Sequence, residues 1–136
     1  MNIGEAEKAT GLPAKTMRYY EAIGLVVPAR LSNGYRDYSP VDVHRLRFIQ
    51  RARGLGFSVE DCRGLLALWD DSARSSRDVK RIALEQLELL NRKIGELETL
   101  RAALAELVDH CLGDDRPECP IINDLAGLAR GSAEAR

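Results

Sequence analysis

Between Asp78 and Asp109 the chain holds no proline and a single glycine, Gly95. At about 1.5 Å of rise per residue, these roughly 32 residues predict one continuous helix of about 48 Å. Leu87, Leu90, Ile94, Leu97, Leu104 and Val108 recur at three- and four-residue intervals, with Arg101 out of pattern, and Leu100 and Leu107 widen the stripe. A lone helix cannot bury such a stripe. Folding it back over its own domain is one solution, but residues 1–69 have apolar faces of their own to satisfy. Self-association into a homodimer is the stronger reading.

Residues 1–69 read as helix, turn, helix, hairpin, helix, helix. Asn2 and Glu5 form a capping-box pair opening a helix that closes at Thr10-Gly11. Pro13 is expected as the first residue of the next helix, which Gly24 ends. Val26 and Val27 favour extended backbone, and Asn33-Gly34 is a strong hairpin signal. Ser39 with Asp42, and Ser58 with Asp61, open two further helices that run to Gly54-Leu55-Gly56 and to Trp69. The fold class is therefore mainly α, with a winged helix-turn-helix over 1–69. The polar stretch 70–77 reads as a linker, 78–109 as the dimerisation helix, and 110–128 as a loop with a short helix. Residues 129–136 are expected to be a disordered tail.

Several classes drop out on composition. No run of about 18 uncharged apolar residues is present, so no membrane span is expected. The N-terminal MNIGEAEKATG is charged where a signal peptide needs apolar residues. Three cysteines make a poor disulfide scaffold and fit a reducing cytoplasm. No catalytic triad, phosphate-cradling glycine loop or H-E-x-x-H motif occurs, so an enzyme is not expected.

The net charge of −1 hides a basic head, since residues 1–56 carry nine Lys and Arg against five Asp and Glu. Local charge governs contact with phosphate, because salt screens distant charges. In the second helix Lys15, Arg18 and Tyr19 fall on one face at i, i+3 and i+4, joined by Thr16, and offer the donors that duplex DNA accepts. Met17 and Tyr20 lie nearer the opposite face and suit packing. That helix alone reads equally well as an ordinary solvated one. The hairpin adds Tyr35, Arg36 and Tyr38, an aromatic–basic mixture suited to backbone or minor-groove contact.

At the other end Cys111 and Cys119 flank seven residues, unlike the C-x-x-C of structural zinc. Two thiolates across a loop suit a soft monovalent ion such as Cu(I). Cys119 precedes Pro120, at the positive end of a short helix where a thiolate is favoured. Cys62 reads as packing, and His110 as solvated or hydrogen-bonded. Asp114, Asp115 and Glu118 read as loop solvation and caps.

The segments MRYYEAIGLVVPAR, NGYRDYS and LGFS, followed by the long helix, strongly resemble the MerR family of transcription regulators over nearly the whole chain. That resemblance implies a winged-helix DNA-binding domain joined to an antiparallel coiled-coil dimerisation helix. It also implies binding to promoter DNA with an over-long spacer, which the activated dimer bends and underwinds for RNA polymerase. The C-x7-C followed by PII is similar to the copper-efflux-regulator branch of the family. It implies one Cu(I), Ag(I) or Au(I) per protomer on Cys111 and Cys119, and control of metal-efflux genes. The resemblance sets Ser76 where divalent-metal sensors carry a third cysteine, and Lys80 nearby could offset the −1 charge of two thiolates with a monovalent ion. A divalent Zn(II)-type sensor of the same family, or a thiol-redox regulator, are the alternatives.

Overall fold

The computed structural model describes residues 1–127 and divides into two compact units, Met1–Gln86 and a second beginning at Leu87. The expectations for Leu128 and for the tail over 129–136 lie outside the described residues. The first unit contains α1 (Ile3–Thr10), α2 (Ala14–Ala22), β1 (Ala29–Arg30), β2 (Arg36–Asp37), α3 (Pro40–Gly54) and α4 (Val59–Asp70). Helix α5 (Ser76–Asp109) begins in this unit and continues into the second, which also holds α6 (Pro120–Leu125).

Local chemistry sets most helix ends. Asn2 with Glu5, Ser39 with Asp42, and Ser58 with Asp61 each form a reciprocal capping box, satisfying backbone N–H groups that the first turn leaves unpaired. Helix α1 ends where Gly11 turns left-handed at φ 76°, a conformation that costs other residues about 1–2 kcal/mol. Pro13 is the residue before α2 rather than its first residue. The backbone N–H of Ala14 donates to Glu7 Oε2 at 3.1 Å, so α1 supplies the cap for α2. Ser75 Oγ accepts from the N–H of Arg77 at 3.1 Å, which starts α5 two residues ahead of Asp78.

The hairpin differs from expectation. Its antiparallel ladder pairs only Ala29 with Asp37 and Arg30 with Arg36, so Val26 and Val27 lie outside it. Pro28 has no N–H to donate, which blocks the ladder at that point. Val26 instead turns into the core, while Val27 is exposed.

That core gathers Ala6, Met17, Tyr20, Leu25, Val26, Tyr38, Leu46, Ile49, Phe57, Cys62 and Leu66. Leu46 and Ile49 are fully buried, and each such side chain contributes about 1.5–3 kcal/mol. Cys62 is a packing residue, as expected. Ile82 of α5 leans on the same cluster, and Gln86 Nε2 donates to the Leu55 carbonyl at 3.2 Å. From Leu87 onward the stripe of Leu87, Leu90, Ile94, Leu97, Leu100, Leu104 and Val108 is exposed, Leu97 at 63%. Leu107, expected to widen the stripe, is buried instead. Among the described residues no helix is long and apolar enough to cross a membrane.

Candidate nucleic-acid face and thiol pair

The helix-turn-helix aims the second helix outward. Met17 and Tyr20 are buried, which turns Lys15, Arg18 and Tyr19 to the surface, with Thr16 partly covered between them. Those exposed groups are a cationic and hydroxyl-bearing face of the kind that phosphates and base edges accept. On the wing, Asn33 Oδ1 accepts from the N–H of Tyr35 at 3.0 Å, and the Leu31 N–H donates to the Tyr35 carbonyl at 2.8 Å. This turn presents the Tyr35 ring at 71% exposure.

Two wing residues are corrected. Tyr38 is 1% exposed, so its ring belongs to the core and not to the outer face of the wing. Its hydroxyl is buried with no hydrogen-bond partner among the described residues, and that burial pushes the phenol above its ordinary range. Arg36 is not a free cation. Its Nε donates to Glu21 Oε1 at 2.5 Å, while Arg30 Nη2 donates to Glu21 Oε2 at 2.8 Å. Arg30 also donates through Nη1 to the Gly34 carbonyl at 3.0 Å. The Arg36 hydrogen bond, followed by that of Arg30, holds the Glu21 carboxyl below the usual carboxylate range. Sequence reasoning missed Glu21, because its partners lie in the hairpin and no helical periodicity points there.

In the second unit, Cys111 Sγ lies 3.1 Å from Cys119 Sγ. That is about 1 Å longer than a disulfide, and it is a hydrogen-bond contact between two free sulfurs. The two sulfurs are held unequally. The Cys119 thiol is held below its ordinary value by the backbone N–H groups of Ile122 and Ile121 and by the bond from Cys111. That same contact raises the Cys111 thiol despite an opposing contact from the Gly113 backbone. Both cysteines are free and partly exposed.

The donor set fits a two-coordinate soft ion. Thiolates are the donors that such an ion prefers, and the fold brings the two sulfurs together across the loop. Among the described residues no group of three or more His, Cys, Asp and Glu side chains converges on a metal position. Asp114 is held by Arg116, whose Nη2 lies 2.7 Å from Oδ2, and His110 Nδ1 lies 2.8 Å from the Glu106 carbonyl. Ser76 and Lys80 belong to the first unit, where they line an open hollow of about 670 Å³ with Ser72, Arg74, Val79 and Ala83.

A helix-turn-helix with a wing, a long helix with an exposed apolar stripe and a C-terminal sulfur pair define the class, a DNA-binding regulator. Residues 1–68 match the model of the MerR HTH family regulatory proteins, and residues 43–107 match the MerR DNA-binding model. The chain belongs to the MerR family. It is 60% identical over 126 residues to the HTH-type transcriptional regulator HmrR of Rhizobium leguminosarum bv. viciae, covering 93% of this chain and 98% of that one. Identity to the heavy metal-dependent transcription regulator 2 of Rhizobium meliloti (strain 1021) is 53%, over 98% of this chain and 90% of the relative. CueR of Salmonella typhimurium is 42% identical, with 98% of each chain covered. Among solved structures, PbrR691 of Ralstonia metallidurans CH34 in complex with lead(II) superposes with a TM-score of 0.76 at 32% identity, over 92% of this chain and 98% of that one.

Proposed function

We propose that this chain is a homodimeric, heavy-metal-responsive transcriptional activator whose effector is Cu(I), with Ag(I) and Au(I) as chemical equivalents, one ion per protomer. The observation that carries the choice of a monovalent ion is the isolated pair of sulfurs, 3.1 Å apart, with no third ligand side chain converging on them among the described residues. Two thiolates complete the coordination of a soft monovalent ion and leave a divalent ion short of ligands. Cys111 and Cys119 hold the ion between them and lose their thiol protons as they bind it. By the family resemblance, Ser76, reached from the partner protomer, stands in place of a third thiolate and keeps divalent ions weak, and Lys80 on the same helix could offset the charge of a bis-thiolate ion.

Lys15, Thr16, Arg18, Tyr19 and Tyr35 contact promoter DNA. The stripe on α5 joins two protomers as an antiparallel coiled coil, so that two DNA-binding heads act on one duplex. The effector favours one of two protein–DNA conformations and so changes how the dimer bends and underwinds an over-long promoter spacer for RNA polymerase. The reducing cytoplasm is the compartment in which such a free thiol pair persists, and metal-efflux genes are the target that the resemblance to the copper-efflux branch implies.

The test is a titration of the reduced dimer with Cu(I) and with Zn(II) against a small-thiol competitor, read alongside transcription in vitro. One Cu(I) per protomer, with activation and negligible Zn(II) uptake, is expected. Ser76→Cys should admit Zn(II) and extend activation to it. Comparable Zn(II) occupancy of the unaltered protein would replace this reading with the divalent one, for which the lead(II)-bound relative is the precedent.

A further inference from the structure

The carboxylate of Glu21 sits where the end of α2 meets both strands of the wing. Each of its oxygens takes one guanidinium, Oε1 from Arg36 on β2 and Oε2 from Arg30 on β1. Its side chain is 16% exposed, and that of Arg36 is 26% exposed, so the pair is shielded more than a surface ion pair. Arg30 carries the linkage on to the Gly34 carbonyl at the wing tip, one residue from Tyr35.

The wing needs such a brace. A ladder of two residue pairs has little stiffness of its own, since isolated hairpins are marginal in water. Tyr38 anchors its base in the core, and Arg30 and Arg36 tie its strands to α2 through Glu21. Lys15, Arg18 and Tyr19 stand on α2, and Tyr35 stands on the wing. A duplex meeting both at once requires a fixed separation between them, and each unfixed element must be ordered at a cost to affinity.

We propose that Glu21 is a positioning residue for DNA binding, locking the wing to α2 so that helix and wing meet the duplex as one preformed surface. This rests on the assignment of α2 and the wing as the DNA face. Simple masking of two arginines by the carboxylate is the competing account, and the two predict opposite changes.

The experiment uses the full-length dimer and a duplex that the wild-type protein selects from random-sequence DNA. Affinity is measured as a function of salt for the wild type, Glu21→Gln, Arg36→Gln and the double variant, with circular dichroism as a check on folding. A positioning role predicts a five- to tenfold loss for Glu21→Gln, with the slope of log affinity against log salt unchanged. The double variant should be no weaker than the weaker single one, because either change opens the same lock. If Glu21 only masks charge, Glu21→Gln binds more tightly, and each freed arginine reaching a phosphate steepens the slope by about 0.9. That result, or unchanged binding, overturns the proposal.

Arg30→Gln, at the more exposed arm, serves if Glu21→Gln does not fold. It should weaken binding at constant slope, and a slope reduced by about 0.9 would make Arg30 a direct phosphate contact instead. A wild-type protein that selects no duplex overturns the DNA face and this proposal together, whereas the variant outcomes concern Glu21 alone.

Discussion

Tyr38→Phe should stabilise this protein. The ring is 1% exposed and its hydroxyl is buried with no hydrogen-bond partner among the described residues. Stranding a hydroxyl in the interior costs about 1–3 kcal/mol, and removing it keeps the ring and the packing around it. Allowing for the space of one lost oxygen atom, the net gain is about 1 kcal/mol, or about 4 °C in Tm for a chain of this size. Thermal melts followed by circular dichroism, at matched protomer concentration because a dimer's Tm depends on it, make the measurement.

Burial raises the Tyr38 phenol above its ordinary 10.0, and raises that of Tyr20 likewise. A folded-state value above the unfolded one contributes stability in full below about pH 10 and loses it as pH climbs through that value. The variant should therefore lose less stability in alkali than the wild type. A Tm lowered by about 2 °C or more, beyond the scatter of a neutral change, would mean that the hydroxyl has a partner and that the reasoning fails.

The other expectations concern the sulfurs and the stripe. The thiol pair should titrate in two steps, one below and one above the ordinary 9.0, as seen in ultraviolet thiolate absorbance. Metal capture then weakens as pH falls through the lower step, and two sulfurs ionising together near 9.0 would contradict the unequal hold. Cys111→Ser or Cys119→Ser should abolish the metal response and spare DNA binding, so a variant still activated by Cu(I) sinks the two-sulfur site. Leu97→Lys, at a position 63% exposed on the α5 stripe, should shift sedimentation from dimer towards monomer. An unaltered dimer would move the contact elsewhere.

How legible the chain was depended on range. Capping boxes at Asn2, Ser39 and Ser58 act over three residues, and each was readable from its own segment. The outward face of α2 followed from period alone, since Met17 and Tyr20 had to turn inward together. The hairpin was harder. Its ladder is so short that alternation carries no sidedness, and Tyr38 is buried because of the helices beneath it rather than by any pattern within the strand. Glu21 finds its partners 9 and 15 residues away, a distance set by the fold of the wing. The proximity of Cys111 and Cys119 was suggested by the loop between them. The unequal hold on the two thiols was not, because it depends on where the Ile121 and Ile122 amides point.

One consequence of that sulfur pair lies in simple valence. Two thiolates around one singly charged ion would bear one negative unit, next to the carboxylates of Asp114, Asp115 and Glu118 in the same loop. A doubly charged guest would neutralise the site.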